Sequence, residues 1–267
     1  EIPYDKVYDP QVLDGQLPMY DWLHLHHEDF TGQYGRFYFA YRNAAWYQAE
    51  VEEAERLAQS RGFDKVSALK SAVAQRIREF VAGGGFLFAM CSATDSYDIA
   101  LAALGLDICE TMYDGDPSDP LAQDKLNDDA CFAFRNFTLT PNPLEYEFSN
   151  IDVTTTRGMV PETEDFFTIF DFSAKWDVVP TMLCQNHTRL IKGFMGQTTA
   201  FNKDLIKPEV LVMGESKSLN EARYIHGNFG KGTWTFFGGH DPEDYQHLVG
   251  EPPTELSMYP NSPGYRL

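Results

Sequence analysis

The sequence predicts an α/β fold: a three-layer, doubly wound and mainly parallel sheet, with antiparallel strands added towards the C-terminus. Three observations predict it. Leu69, Val73, Ile77, Phe80 and Val81 recur at the spacing of a helix that packs one face on a sheet. After Gly83-Gly84-Gly85, the run Phe86-Leu87-Phe88-Ala89-Met90 is apolar without alternation, as expected of a parallel strand buried on both faces. From residue 165 onward short β-rich segments follow one another, separated by turn residues such as Gly230-Lys231-Gly232.

Taken in order, residues 2–8 read as a strand, 9–18 as a turn-rich segment and 20–26 as a second strand. A helix rich in Ala and Glu covers 45–60 and stops near Gly62, and a second begins at about Ser67. The strand 86–90 leads through Cys91 and a tight 92–96 turn into a helix over 97–104, closed by Gly105. Residues 107–150 are rich in Asp, Asn and Pro and read as an acidic surface insertion, most clearly over 114–129. Further strands are expected over 166–170, 178–184, 210–213, 222–226 and 232–238, before an extended Pro-rich tail over 249–267.

Composition narrows the function. With 21 Lys and Arg against 40 Asp and Glu, the formal charge of -19 repels phosphate backbones, so nucleic acid is not expected as a partner. The longest apolar stretch, 80–91, is interrupted by three glycines and falls short of the roughly 20 residues of a membrane helix. The cysteines at 91, 109, 131 and 184 form no CxxC pair and fit no zinc spacing, so no metal or other cofactor is expected. The partner class left is a small-molecule or carbohydrate ligand. The chain starts at Glu1 without a leader-like segment, so any targeting peptide is expected to lie outside it.

Ligands of open α/β sheets bind beyond the carboxyl ends of the strands, and three clusters fall there. Cys91 stands where a strand turns into a helix, whose N-terminal N–H groups favour a thiolate of lowered pKa and an oxyanion near Ser92. Ala89 and Ala93 leave room for the bend, and Asp95 lies in the same turn. The last strand delivers Gly238-Gly239-His240-Asp241-Pro242-Glu243, in which His240 is placed to act as a base and Glu243 or Asp241 to orient it. The second strand ends in His24-Leu25-His26-His27-Glu28-Asp29, a set that lines the pocket or, in the alternative, ligates zinc or iron. His187 and His226 are read as structural.

These segments resemble the class I glutamine amidotransferase-like superfamily, whose amidotransferases carry Gly-x-Cys-x-Gly-x-Gln at a nucleophile elbow and a later His-Pro-Glu. Here Ala89-Met90-Cys91-Ser92-Ala93-Thr94-Asp95 keeps the cysteine, with alanine at both glycine positions and Asp95 in place of glutamine. The ThuA-like branch is more similar still, through Gly83-Gly84-Gly85-Phe86, Ala93-Thr94-Asp95 and Gly239-His240-Asp241-Pro242-Glu243. The chain also resembles Bacteroidetes proteins carrying an asparagine synthetase B label, without the N-terminal cysteine or synthetase domain that label implies. The resemblance implies one flavodoxin-like domain over 1–267 lacking its first β-α unit, and a periplasmic or cell-envelope location, with the cytoplasm as alternative. It implies a Cys-dependent hydrolase or amidotransferase-like enzyme acting on an amide or ester, with catalytic Cys91, His240 and Glu243. The alternatives are a non-catalytic module binding carbohydrate near Trp22 and Tyr97, and a metal-assisted hydrolase using His26 to Asp29.

Overall fold

The computed structural model describes residues 3–153, 159–161, 165–169, 190–192 and 197–239. The strand expected over 2–8 is not found: residues 3–8 have no regular structure and lead into a short helix, α1 (Asp9–Leu13). Pro10 lies in the first turn of α1, where the missing N–H has no helical acceptor to lose. That start signal prevails over a weak alternation of apolar residues.

Among the described residues eight strands form one mixed sheet: β1 (Trp22–Leu25), β2 (Phe86–Met90), β3 (Phe166–Ile169), β4 (Leu190–Lys192), β5 (Phe201–Asn202), β6 (Leu211–Ser216), β7 (Glu221–Phe229) and β8 (Gly232–Phe237). Their order is β1-β2-β8-β7-β6-β3-β4, with β5 paired to β7 off this path. β1, β2 and β8 run parallel, in the registers Leu23↔Leu87 and Leu87↔Trp234, and the remaining pairings are antiparallel. The chain is therefore α/β with a mixed sheet: the parallel group surrounds the strand before Cys91 and the antiparallel group follows, as expected, but antiparallel pairings outnumber parallel ones among the described residues, where the sequence predicts a mainly parallel sheet. β4 and β5 are additions to the expected strands. The segments 178–184 and 249–267 lie outside the described residues.

The helices are α2 (Tyr38–Tyr41), α3 (Ala45–Ser60), α4 (Val66–Gly83), α5 (Ser92–Ala102), α6 (Thr111–Asp114) and α7 (Ala122–Lys125). The apolar stripe of α4 is buried as its spacing predicts, from Leu69 at 1% exposed to Val81 at 0%. Gly84 ends α4 at φ 126°, a conformation that side chains strongly disfavour, and thereby frees the chain to enter β2 at once. Leu87 and Ala89 of β2 join Trp234 and Phe236 of β8 and Ile225 of β7 in the core that α4 and α5 cover. No helix among the described residues is long and apolar enough to cross a membrane.

Every residue of α5 is buried, including five polar ones, so each polar group must find a partner inside. Asp98 does so by accepting the backbone N–H groups of Phe132 at 2.8 Å, Ala133 at 2.7 Å and Phe134 at 3.0 Å. Burial pushes its carboxyl up to about 6, against the pull of those three donors. The clamp also corrects the reading of 107–150 as a surface insertion. Residues 114–129 are largely exposed, but 130–134 and then Phe137, Phe148 and Ile151 are buried in the main core. The polar flanks hid the short run Ala130-Cys131-Phe132-Ala133-Phe134. Asp98→Ala leaves three buried N–H groups unpaired at about 1–3 kcal/mol each, so urea unfolding should show a loss of about 3 kcal/mol or more. A loss under about 1 kcal/mol would mean that the segment docks without the clamp.

Candidate functional site

β2 ends at Met90 and α5 starts at Ser92, so Cys91 alone turns the chain. It does so at φ 53°, ψ -138°, a region that L-residues rarely occupy and that holds only when its surroundings enforce it. The enforcing bonds are visible. Cys91 N–H donates to the Phe237 carbonyl at 3.1 Å, continuing the β2–β8 ladder by one step. Its own carbonyl accepts from Thr94 N at 3.2 Å and Thr94 Oγ1 at 2.6 Å. Ala89 and Ala93, both 0% exposed, flank the bend as expected. A strained non-glycine residue between a buried strand and a helix N-terminus is the backbone of a nucleophile elbow.

The surroundings of the sulfur depart from expectation. Cys91 is 0% exposed, and Gln197 N–H donates to its Sγ at 3.1 Å. Burial raises the thiol pKa, and the backbone N–H groups of Thr198, Ser92 and Gln197, all of which favour the thiolate, do not offset it. The lowered pKa expected at this position is thus corrected: the helix terminus supplies its donors, but in a site dry enough for desolvation to dominate.

One turn further along α5 stands Asp95, also 0% exposed. Thr198 Oγ1 donates to Asp95 Oδ1 at 2.8 Å, while Oδ2 is buried without a hydrogen-bond partner among the described residues. Burial pushes the Asp95 carboxyl up to about 7, and the nearby Asp29 carboxylate adds to the rise.

The β1 end does not gather into a ligand set. The His26 and His27 rings lie 3.9 Å apart by centroid, but Glu28 turns away to pair with Lys70 Nζ at 3.2 Å. Asp29 organises its own loop, accepting from Thr31 N at 2.7 Å, Thr31 Oγ1 at 2.6 Å and Gly35 N at 2.8 Å. Of these four residues, Asp29 is the one whose charge reaches Asp95. His24 tilts against Phe88 on a sheet face, and His226 Nδ1 sits 3.0 Å from Thr235 Oγ1 inside the sheet. Tyr97 is fully buried against Phe30 and Phe132, which corrects its reading as a carbohydrate platform; Trp22 is 47% exposed.

At the β8 end, Gly238 N–H donates to the Arg223 carbonyl at 2.7 Å and Gly239 N–H to the Thr198 carbonyl at 2.8 Å. A Cβ on Gly238 would meet the Thr199 carbonyl oxygen at 2.7 Å, so this glycine permits a close approach by the chain's own 198–199 segment. Residues 197–199 therefore join the site: Gln197 and Thr198 bridge Cys91, Asp95 and the β8 terminus. His240, Asp241 and Glu243, like His187, lie outside the described residues.

Away from this edge, one oxygen each of Asp107 and Asp114 and the sulfur of Cys109 lie within 4.8 Å of one another, a spacing that could suit a metal ion. Lys65 already supplies the positive charge there, with Nζ 2.6 Å from Asp107 Oδ2, 3.0 Å from Asp114 Oδ2 and in contact with Asp116. Burial lowers the Lys65 pKa, but the hydrogen bonds its ammonium donates to Asp107, Asp116 and Asp114 outweigh it and hold the ammonium above its usual range. Titration of zinc into the protein should therefore show no saturable binding; stoichiometric uptake lost on Cys109→Ala would overturn this. A cavity of 360 Å³ is lined by Tyr20, Asp21, Phe80 and Gly83 to Gly85, at the opposite end of the parallel strands from Cys91.

Fold and site together define an α/β protein with a cysteine at a strand-to-helix elbow. No family model matches the chain, and no curated protein matches it significantly. Among solved structures it is similar to the cytoplasmic protein STM3548 of Salmonella typhimurium, at 11% identity and a TM-score of 0.35. That match covers 85% of this chain and 63% of the other, so the chain spans less than two thirds of that protein's length.

The raised carboxyl of Asp95 has a consequence for stability. Between the ordinary carboxylate pKa and about 7 the folded protein keeps a proton that the unfolded chain has released, so stability falls as pH rises through that window. Asp98 acts in the same direction up to about 6. The melting temperature should therefore drop between about pH 4 and pH 7, and Asp95→Asn should remove much of the drop while leaving the share due to Asp98, which ends near pH 6. An equally steep profile in the variant would show that Asp95 ionises freely in the folded protein.

Proposed function

We propose that this chain is a class I glutamine amidotransferase-like protein of flavodoxin-like, three-layer architecture. In this reading it acts as a cysteine-dependent hydrolase or acyl-transfer enzyme on an amide or ester. The supporting observation is the strained backbone of Cys91 between a buried parallel strand and the N-terminus of α5, with Ser92 and Gln197 N–H groups beside the sulfur. The thiol proton passes to the imidazole of His240, oriented by Glu243, as the sulfur attacks the carbonyl carbon. The C–O double bond opens to an oxyanion received by the backbone N–H groups. Collapse expels the amine or alcohol, which takes the proton from His240. Water then attacks the thioester, and the carboxylic acid and free thiol are released. The fully covered Sγ, with Gln197 N–H on it, requires the 197–199 segment to move aside for substrate.

That same covering, with the raised thiol pKa, favours a second reading in which the elbow serves a binding module without turnover. Incubation with p-nitrophenyl acetate followed by peptide mass mapping separates the two. Acetylation should concentrate on Cys91, and Cys91→Ser and His240→Ala should each lower hydrolysis by about 10³-fold or more. Absence of acyl-Cys91 with hydrolysis no faster than buffer would favour the binding module.

A further inference from the structure

We infer that Asp95 is a specificity-determining residue of the Cys91 site, admitting acyl groups that are neutral or cationic and carry a hydrogen-bond donor, and excluding anionic ones. This rests on the reading of Cys91 as nucleophile. Thr198 places the two side chains beside each other: its backbone N–H serves the Cys91 sulfur and its hydroxyl donates to Asp95 Oδ1 at 2.8 Å. Asp95 Oδ2 is fully buried and receives no donor among the described residues, although a buried carboxylate oxygen is costly to leave unpaired. A ligand held at Cys91 that brings an N–H or O–H to this oxygen relieves that cost, whereas above about pH 7, where Asp95 ionises, a carboxylate there meets a like charge in a buried setting.

The neighbouring charges sharpen the selection. Asp29, across the loop, carries the same sign, and its oxygens are already occupied by Thr31 and Gly35. Arg36, the cation of that loop, is spent on Gln33 Oε1 at 2.8 Å and on the carbonyls of Thr140, Asn142 and Glu145 at 3.0, 2.5 and 3.0 Å. Four of its five N–H donors are thus committed, and none of these bonds is to Asp95.

Two alkylating reagents of nearly equal size test this: iodoacetamide, neutral with an N–H donor, and iodoacetate, anionic without one. Rates at Cys91 are read at about pH 8, above the Asp95 pKa of about 7, by peptide mass mapping of the native protein, with the urea-unfolded protein at the same pH as reference. The native ratio of amide to acid rate should exceed the reference by about tenfold or more, the equivalent of one pKa unit of differential interaction. In Asp95→Asn and Asp95→Ser it should fall back towards the reference. A native ratio equal to the reference, with Cys91 still reacting, overturns the role of Asp95 and leaves the nucleophile standing. Failure of both reagents to modify Cys91 overturns both. The wild-type comparison needs no variant, so it holds even if the substitutions impair folding.

Discussion

The backbone of Cys91 is the constraint around which the rest of the molecule is arranged. A left-handed φ on a non-glycine residue costs on the order of 1–3 kcal/mol, and it persists only where neighbouring structure leaves no alternative. β2 fixes one side through its parallel ladder to β8, which Cys91 extends by bonding Phe237; α5 fixes the other through Thr94. Because the chain turns in one residue, α5 starts beneath the sheet edge and is buried along its whole length. A helix so enclosed must bring its own polar partners, and that requirement draws residues 131–134 to Asp98 and 197–199 to Asp95.

The same enclosure decides the electrostatics. At Cys91, Asp95 and Asp98, backbone and hydroxyl donors favour the ionised form, yet burial moves all three towards the neutral form. At Lys65 the balance reverses, since several carboxylates converge on one ammonium near the surface. Number of partners and access of water, more than residue type, separate these outcomes. A cysteine built in such a place rests as a thiol.

What could be read in advance was local. The unalternating run at β2 and the helical stripe of α4 mark themselves, because each buries a face set by its own repeat. The elbow followed from their junction. The 197–199 segment did not: its bond to Cys91 spans 106 residues and is made by backbone N–H, which no residue type announces. The buried run 130–134 was masked by acidic flanks, and its anchor is again backbone N–H to a distant carboxylate. Residues 2–8 misled because apolar alternation over so few positions carries little weight beside a proline-led helix start immediately after it.

β1 lies at one edge of the sheet among the described residues, and Trp22, on its exposed side, is half open to solvent. Such an edge is a template for pairing with another chain, and folded proteins blunt it by brevity and charge. Both devices are present: the strand is four residues long, with Asp21 before it and Glu28 and Asp29 shortly after. The formal charge of -19 extends the same protection to the whole particle. Colloidal behaviour thus becomes a property of the carboxylates: acidification strips the repulsion that keeps one sheet edge from finding another, and moderate salt screens it.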